Sequence, residues 1–372
     1  MRYIGLMSGT SMDAVDAALV EFRGDRVASV VYRQYPIAQQ LRDQVRGLSP
    51  STPLRDVAEM DVRLGRLFAQ SVKRLLRSTR MTSHGIRAIG SHGQTVFHAP
   101  DAACPTSVQI GDPGIIASET GITTIADFRR MDMAAGGQGA PLAPAFHAAQ
   151  FRSPTRYRCV LNIGGIANIT ILPPKSSGAV RGFDSGPGNG LMDDWARRHL
   201  KREFDSDGTW AASGRIAPVL LARFLKDAFF RRLPPKSTGR EHFNIEWIDR
   251  IVRGTRRRIP PADVQATLLE LTAVSIANAL RRHAPRCAEL LVCGGGVHNP
   301  LLMRRLREHL KGVSVCSTAD RGLDPDCIEA VTFAWLAMKR LERKPGNLPG
   351  VTGARRGVVL GGVYEPAVRA RS

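Results

Sequence analysis

The chain has 372 residues, of which 43% are hydrophobic and 23% are charged. This length exceeds the usual size of one hydrophobic core, so we expect two domains with a ligand-binding cleft between them. No apolar run is long enough to cross a bilayer, and a polar turn follows soon after Met1 where a signal peptide would be apolar. The composition therefore predicts a cytoplasmic protein without a membrane partner.

The net charge of +20 raises the question of nucleic-acid binding, since 53 Lys and Arg residues stand against 33 Asp and Glu residues. The excess is scattered, and its densest runs, at residues 253–258 and 355–356, contain no aromatic residue. Aromatic residues make up only 6% of the chain, so platforms for stacking single-stranded bases are scarce. We therefore expect no nucleic-acid partner and a solvated surface that attracts anionic ligands.

The six cysteines give no sign of a metal site. They form no C-x-x-C pair, and no histidine lies at a spacing typical of zinc. We expect buried, reduced thiols and no protein-bound metal ion.

The chain opens with two strand-like runs, residues 3–7 and 15–20, around a polar turn. The turn offers Gly9 for close backbone approach and the hydroxyl groups of Ser8, Thr10 and Ser11 as hydrogen-bond donors. A Walker loop is not predicted, because it needs a lysine and a following helix, and both are missing here. Two interpretations remain open, a β-hairpin that grips phosphate groups or a plain hairpin that opens a sheet.

A third strand is predicted over residues 27–37, and apolar residues at helical spacing predict a core-facing helix over residues 54–76. The Gly-, Ala- and Pro-rich stretch at residues 134–144 suits either a linker or a substrate loop lined by backbone. We place the first domain boundary near residue 130.

Polar residues follow two short buried strands that are predicted between these features. The strand over residues 86–90 leads to His92, Gln94 and Thr95, and the strand over residues 123–126 leads to Arg129. In α/β sheets the carboxyl ends of strands face the ligand crevice, so these side chains are candidate sugar or phosphate contacts. A histidine that merely caps a loop explains His92 equally well.

Residues 158–172 repeat the pattern of the first hairpin, with two strand-like runs around a Gly164-Gly165 turn. Two such hairpins could grip one polyphosphate from opposite sides; unrelated hairpins in separate sheets are the alternative.

Asp184 follows in a glycine-rich segment that is expected to lie just before a helix. It either caps that helix or serves as general base to a hydroxyl group or water in a cleft.

The last third of the chain adds a glycine-rich turn and a second carboxylate. A buried strand over residues 289–293 runs into Gly294, Gly295 and Gly296, whose flat backbone suits a purine ring, whereas a plain turn needs only one glycine. Glu329 lies early in a predicted helix, where it either complements the helix dipole or faces the cleft.

Three further segments complete the reading. The polar loop at residues 234–241 carries cations that could reach a phosphate or a substrate carboxylate. One last strand is expected over residues 355–364, and a frayed tail over residues 367–372.

Seven ordered motifs, spread over nearly the whole chain, resemble the anhydro-N-acetylmuramic acid kinase family of the acetate and sugar kinase, actin and heat-shock-chaperone ATPase superfamily. The family commonly has glycine after the first motif, where this chain has Ala14. The motifs are GLMSGTSMD at 5–13, GSHGQT at 90–95, ADFR at 126–129, AGGQGAPL at 135–142, NIGGIAN at 162–168, GFDSGPGN at 182–189 and VCGGGVHN at 292–299.

The resemblance implies an α/β chain with the two-domain actin-like ATPase (ribonuclease H-like) fold. Each domain would be a mixed sheet flanked by helices, with an interdomain cleft. We expect residues 1–130 to form the N-terminal domain, completed by C-terminal residues from about 345, and residues 131–345 to form the C-terminal domain.

The resemblance also implies an ATP-dependent kinase that uses Mg²⁺. It would open the 1,6-anhydro ring of 1,6-anhydro-N-acetylmuramic acid with water and phosphorylate O6, giving N-acetylmuramic acid 6-phosphate and ADP in peptidoglycan recycling. The family further suggests a homodimer.

Site roles follow from motif position. Asp184 matches the family's base, and Glu329 matches a carboxylate near the site that would orient water or sugar. The sugar contacts would be His92, Gln94, Thr95 and Arg129, together with the two carboxylates. The expected nucleotide-binding residues are Gly9, Thr10, Ser11, Met12, Asp13, Ala14, Val15 and Asp16 of the first hairpin, with Asp13 or Asp16 in the outer shell of Mg²⁺, then Gly164, Gly165 and Asn168 of the second hairpin, and Gly294, Gly295 and Gly296.

Two other functions remain open at this point. One is a different sugar or acetate-type kinase of the same superfamily, in which Asp184 would deprotonate a substrate hydroxyl group. The other is a binding module of actin or chaperone type, which predicts a slow ATPase activity that a protein partner stimulates.

Overall fold

The computed structural model describes residues 1–9, 12–255 and 258–367. Predictions that concern Thr10, Ser11, residues 256–257 and residues 368–372 lie outside the described residues. None of the described helices combines the length and apolarity needed to cross a bilayer.

The chain forms two compact units. The first contains Met1–Gln150 together with Cys327–Ser372, and the second contains Phe151–Asp326. These limits differ from the boundaries expected at residues 130 and 345, because the Gly-, Ala- and Pro-rich stretch and the helix that carries Glu329 both belong to the first unit.

The first unit contains a six-stranded mixed sheet, a separate two-stranded hairpin and flanking helices. The sheet strands are β1 (Arg2–Met7), β2 (Ala14–Arg23), β3 (Arg26–Pro36), β4 (Ala88–Ser91), β7 (Thr124–Ala126) and β13 (Gly362–Tyr364), and the hairpin strands are β5 (Gln94–Ala99) and β6 (Thr106–Ile110). The helices are α1 (Gln39–Arg46), α2 (Leu54–Thr79), α3 (Pro113–Thr120), α4 (Phe128–Ala134), α5 (Ala143–Phe151), α13 (Ile328–Leu341) and α14 (Pro349–Thr352).

The second unit contains a five-stranded mixed sheet and seven described helices. The strands are β8 (Arg158–Ile163), β9 (Ile166–Leu172), β10 (Arg181–Pro187), β11 (Glu289–Cys293) and β12 (Ser314–Ser317). The helices are α6 (Gly190–Leu200), α7 (Thr209–Ser213), α8 (Pro218–Phe224), α9 (Ala228–Arg231), α10 (Ile245–Arg253), α11 (Pro261–His283) and α12 (Pro300–His309). One short 3₁₀ turn, Ser83–Gly85, lies in the first unit. The others lie in the second unit, at Lys175–Ser177, Ser206–Gly208, Gly295–His298 and Thr318–Arg321.

The two sheets share one topology. The order is β3-β2-β1-β4-β7 in the first unit, with β13 added at the edge, and β10-β9-β8-β11-β12 in the second. In the first sheet, β1 runs antiparallel to β2 and parallel to β4. In the second sheet, β8 likewise runs antiparallel to β9 and parallel to β11. The repeat confirms the predicted α/β fold, in which each domain is a mixed sheet flanked by helices.

Helix α13 packs unusually close to β1 and β4 of the first sheet. A Cβ atom added at Gly5 would lie 1.8 Å from the carbonyl oxygen of Ala330, and one added at Gly90 would lie 2.0 Å from that of Phe333. Both strand positions therefore need glycine, because any side chain would meet the helix backbone. This contact fixes the first turn of α13, and with it Glu329, against the sheet.

Helix α11 forms the centre of the second unit. Most of its residues from Val264 to Leu280 are buried, and it contacts α6, α7, α8, α12 and β10. An apolar residue occurs on every face of this helix, which is typical of a helix surrounded by other elements.

Candidate active site

Three polar side chains form a row across the second sheet. Asn162 on β8 lies opposite Asn168 on β9, which lies opposite Asp184 on β10. Residues directly opposite on neighbouring strands project from the same face of a sheet. Their chain neighbours, such as Leu161 and Phe183, are buried in the apolar core. The predicted Asn168 and Asp184 are thus brought together, and Asn162 is a third member that the sequence did not single out.

Asp184 lies inside β10, and α6 begins only at Gly190, so the expected position just before a helix was wrong. The backbone N–H of Thr238 donates a hydrogen bond to Asp184 Oδ2 over 2.9 Å, and the N–H of Asp184 donates to the carbonyl oxygen of Lys236 over 3.1 Å. The carboxylate therefore caps no helix. It is held by the 234–241 loop, which the sequence had not connected to it.

The surroundings of Asp184 raise its pKa. Burial raises the pKa of Asp184 to about 6, against the opposing effects of the Thr238 N–H and the Lys236 charge, while Glu241 acts in the same direction as burial. A carboxylate whose pKa is close to neutrality is typical of a general base. The role of Asp184 as general base stays a prediction.

Lys236 is a buried cation of the same loop. Its Nζ donates to the carbonyl oxygen of Phe229 over 3.1 Å and lies 4.4 Å from the centre of the Phe229 ring. Burial and the charges of Arg232 and Arg282 lower the pKa of Lys236 to about 8. This ammonium group is thus engaged within the protein, where it acts on Asp184 through its charge.

The Gly164-Gly165 turn of the second hairpin is tied to the start of α6. The carbonyl oxygen of Gly164 accepts from the N–H of Asn189 over 2.7 Å, and that of Gly165 accepts from Gly188 and Gly190 over 3.0 and 3.1 Å. The position of the turn is therefore fixed by the helix that follows β10. Its contact with phosphate stays a prediction.

A cavity of about 530 Å³ borders the glycine-rich turn after β11. Its size is that of a small-molecule site. Gly294 has φ +76°, and a Cβ atom there would lie 2.2 Å from Asn162 Oδ1, so this position needs glycine. Of the three glycines, Gly295 lines the cavity. The other lining residues are Asn189, Met192, Asp193, Phe204, Asp205, Ser206, Asp207, Gln265, His298 and Asn299.

Most of these lining residues were not found from the sequence. They come from α6, the segment at residues 204–207 and α11, and no short motif joins them. Burial raises the pKa of Asp193 to about 7, with the Asp194 charge acting in the same direction and the charges of Arg197 and Arg240 opposing it. A perturbed acid of this kind in a cavity is one sign of a functional site.

In the first unit, the buried His92 pairs with the partly buried Arg129. Arg129 Nη2 lies 2.9 Å from His92 Nε2, and His92 Nδ1 lies 2.9 Å from the carbonyl oxygen of Gly93. Because arginine can only donate, Nε2 is the acceptor and Nδ1 carries the proton. Burial and the Arg129 charge lower the pKa of His92 to about 3, so this imidazole is neutral and orients its neighbours rather than carrying a charge.

Arg129 remains the cation of this cluster. Burial lowers its pKa to about 10, and the charge of Glu329 acts in the opposite direction. The structure therefore brings together His92, Arg129 and Glu329, three of the residues predicted to contact sugar.

Gln94 and Thr95 are the other two predicted sugar contacts in the first unit. Ser8 Oγ, in the turn of the first hairpin, donates to Gln94 Oε1 over 2.8 Å, and Gln109 Nε2 donates to Thr95 Oγ1 over 3.2 Å. The bond from Ser8 joins the predicted phosphate turn to the predicted sugar contacts within one unit. Ser8 was named from the sequence as a hydroxyl donor of the turn, but its bond to Gln94 was not predicted.

The acidic residues of the first hairpin have protein partners. Asp13 Oδ1 accepts from Arg42 Nη1 over 2.7 Å, and Asp16 Oδ1 accepts from the Tyr32 hydroxyl group over 2.5 Å and from Gln34 Nε2 over 3.0 Å. Within the described residues no group of three or more His, Cys, Asp and Glu side chains could hold a metal ion.

The repeated sheet order places the chain in the class of proteins with the two-domain actin-like ATPase fold. Comparison with known proteins identifies the family within that class. The sequence profile described as "Anhydro-N-acetylmuramic acid kinase" matches residues 1–366.

Curated relatives match this chain over nearly their whole length. A protein of that name from Coxiella burnetii is 49% identical over 365 residues, which are 98% of this chain and 97% of the relative. The protein of that name from Saccharophagus degradans is 47% identical, and the match covers 98% of this chain and 99% of the relative. The one from Photobacterium profundum is 49% identical, and the match covers 98% of each chain. The chain belongs to the anhydro-N-acetylmuramic acid kinase family, which confirms the resemblance and the ATP-dependent kinase activity predicted from the motifs.

Proposed function

We propose that Asp184 is the general base in the ring opening and phosphorylation of 1,6-anhydro-N-acetylmuramic acid. Asp184 takes a proton from the water that attacks C1, the bond from C1 to the bridging oxygen breaks, and that oxygen, now O6, takes the γ-phosphoryl group of ATP. Because phosphorus captures the leaving oxygen, no strong general acid is needed. The observation that supports this role is the partly buried Asp184 carboxylate, which accepts a hydrogen bond from the Thr238 N–H and whose pKa is raised to about 6.

The sugar-binding part of the proposal rests on the first unit. Arg129 supplies a cation and fixed N–H donors, the neutral His92 orients it, and Gln94 and Thr95 supply further polar contacts. Glu329 orients the water or a sugar hydroxyl group. A buried cluster of this kind is pre-organised for a polar substrate, because its members hold one another in place.

The nucleotide part rests on both hairpins and on the cavity. The base and ribose of ATP lie in the cavity against Gly295, with Gly294 and Gly296 shaping its edge. For the β- and γ-phosphates each unit offers one turn, that of the first hairpin with Gly9 and residues 12–16, and that formed by Gly164, Gly165 and Asn168.

Mg²⁺ enters this proposal bound to the nucleotide. Magnesium in kinases is held largely by substrate phosphates and waters, with one or two carboxylates. Asp16, oriented by Tyr32 and Gln34, fits a contact to such waters, whereas Asp13 is engaged by Arg42. The ion would neutralise the charge on the transferred phosphoryl group.

A cytoplasmic homodimer completes the proposal. The six cysteines form no disulfide, which fits a reducing compartment, and ATP is a substrate of that compartment. Light scattering of the purified chain tests the dimer.

A panel of acceptors tests the assigned substrate. Purified protein is incubated with Mg-ATP and 1,6-anhydro-N-acetylmuramic acid, glucose or N-acetylglucosamine, and ADP is measured. We expect ADP formation to depend on the anhydrosugar. Equal turnover with glucose would instead indicate the other sugar-kinase function, with Asp184 acting on a hydroxyl group.

The pH dependence of kcat follows from the surroundings of Asp184. A general base must be deprotonated, so kcat rises as the pH increases through about 6 and levels off above it. Lys236→Met removes a charge that lowers the pKa of Asp184, so the rise should move to higher pH in that variant. Lys226→Met, in the same unit, is the control and should leave the profile unchanged. A profile that is flat between pH 5 and pH 8 would contradict the assignment.

A further inference from the structure

The wall of the cavity that borders Gly295 contains an acceptor without a donor. Gln265 lies in the second turn of α11 and is 0% exposed, and its Oε1 has no hydrogen-bond partner among the described residues. A buried carbonyl oxygen that lacks a donor destabilises the fold unless another molecule supplies one. Gln265 lines the cavity, so a bound ligand can supply that donor.

The neighbouring carboxylate fixes which end of the Gln265 amide faces the ligand. Asp205 Oδ1 accepts from the N–H of Trp210 over 2.8 Å, and Asp205 Oδ2 accepts from the N–H of Ala211 over 2.9 Å. Gln265 Nε2 donates to the same Oδ2 over 3.4 Å. Since a carboxylate accepts hydrogen bonds, the amide must turn its NH₂ group to Asp205, and its oxygen is left for a donor from elsewhere.

A large apolar side chain lies exposed at the same cavity. Phe204 is 58% exposed, which is unusual for a phenylalanine, and it lines the cavity together with Gly295. An exposed aromatic ring and a glycine backbone are both flat surfaces. A planar heterocycle can stack on the ring, and stacking tolerates any base.

We infer that Gln265 reads the 6-amino group of adenine and that Phe204 stacks on the base, so that Gln265 makes this kinase selective for ATP over GTP. The inference rests on the proposed function, which places the nucleotide base in this cavity. Adenine carries a donor at position 6, which matches the free acceptor of Gln265. Guanine carries a carbonyl oxygen there, and two acceptors would face each other.

Purine riboside triphosphate, which lacks the 6-amino group, tests Gln265 without any mutation. In the wild-type protein we expect its KM to be about tenfold higher than that of ATP, as one lost hydrogen bond implies. In Gln265→Met the two KM values should become equal, because the acceptor is gone. Gln44→Met, an exposed site in the other unit, should keep the wild-type ratio.

The outcomes separate this inference from the proposed function. Equal KM values in the wild type, or an unchanged ratio in Gln265→Met, would overturn the role of Gln265. Phe204→Ala should raise the KM of both nucleotides by one common factor and leave the KM of the sugar unchanged. If Phe204→Ala has that effect while the Gln265 ratio is unchanged, the base lies in the cavity and only the inference fails. If neither variant changes a nucleotide KM, the cavity is not the nucleotide site. The inference about Gln265 and Phe204 then fails together with the proposed placement of the base.

Discussion

Asp184→Asn is expected to abolish ring opening and phosphorylation together. The asparagine side chain keeps the size of the aspartate and can still accept the Thr238 hydrogen bond, but it cannot take a proton from water. Loss of a general base lowers kcat by about 10²- to 10⁴-fold. The affinity for ATP, measured by calorimetry, and the melting temperature should stay close to those of the wild type.

The control for this variant is Asp249→Asn. Asp249 belongs to the same unit and pairs with Arg198 at the surface, so its loss should leave kcat unchanged. Phosphate transfer by Asp184→Asn at nearly the wild-type rate would show that another group is the base. Ring opening without phosphorylation would show that the two steps are not coupled.

Gly5→Ala is expected to give the largest loss of stability of any single methyl addition considered. The new Cβ atom would lie 1.8 Å from the carbonyl oxygen of Ala330 and 2.8 Å from the backbone nitrogen of Ala334, so α13 must move as a whole. Overpacking of this kind costs about 1–3 kcal/mol, and contact with a rigid helix backbone places the variant at the upper end. Scanning calorimetry would measure the change in melting temperature.

Gly165→Ala is the matched control for stability. A Cβ atom at Gly165 would meet no other atom within 4 Å, so its melting temperature should lie close to that of the wild type. If Gly5→Ala proved as stable as Gly165→Ala, the close packing of α13 on β1 would not be the constraint described above. Since α13 carries Glu329, a displaced helix should also weaken sugar binding.

Strands in which apolar and polar residues alternate, or in which apolar residues run continuously, could be predicted from the sequence. Both hairpins form as expected, β11 occupies exactly the predicted residues 289–293, and the helix predicted over residues 54–76 forms as α2. These segments follow from local patterns alone, because burial of one face or of the whole strand imposes the pattern.

The position of Asp184 could not be predicted in this way. Gly186, Pro187 and Gly188 resemble a turn before a helix, but β10 is the edge strand of its sheet, where proline and glycine are tolerated. The register shifts between Asp184 and Gly186, which accommodates these residues. Similarly, the strand expected over residues 355–364 is limited to Gly362–Tyr364. The preceding backbone makes isolated hydrogen bonds instead of a ladder, as when the N–H of Val358 donates to Asn347 Oδ1 and the N–H of Arg355 donates to the carbonyl oxygen of Ala135.

The partners of the site residues were also beyond local patterns. Thr238 is separated from Asp184 by 54 residues, and Gln265 from Asp205 by 60 residues. Only the folded chain brings these pairs together. The motif residues thus identified the family and supplied candidate site residues, whereas the groups that orient Asp184 and shape the cavity could be found only from the structure.

The most direct test of the coupled reaction is mass spectrometry of the product formed from Mg-ATP and 1,6-anhydro-N-acetylmuramic acid in ¹⁸O-labelled water. The account predicts one ¹⁸O atom at the anomeric position together with one added phosphate, because water attacks C1 while O6 takes the phosphoryl group. Phosphate release that leaves the anhydrosugar untouched would contradict it and would indicate a nucleotide-driven binding module.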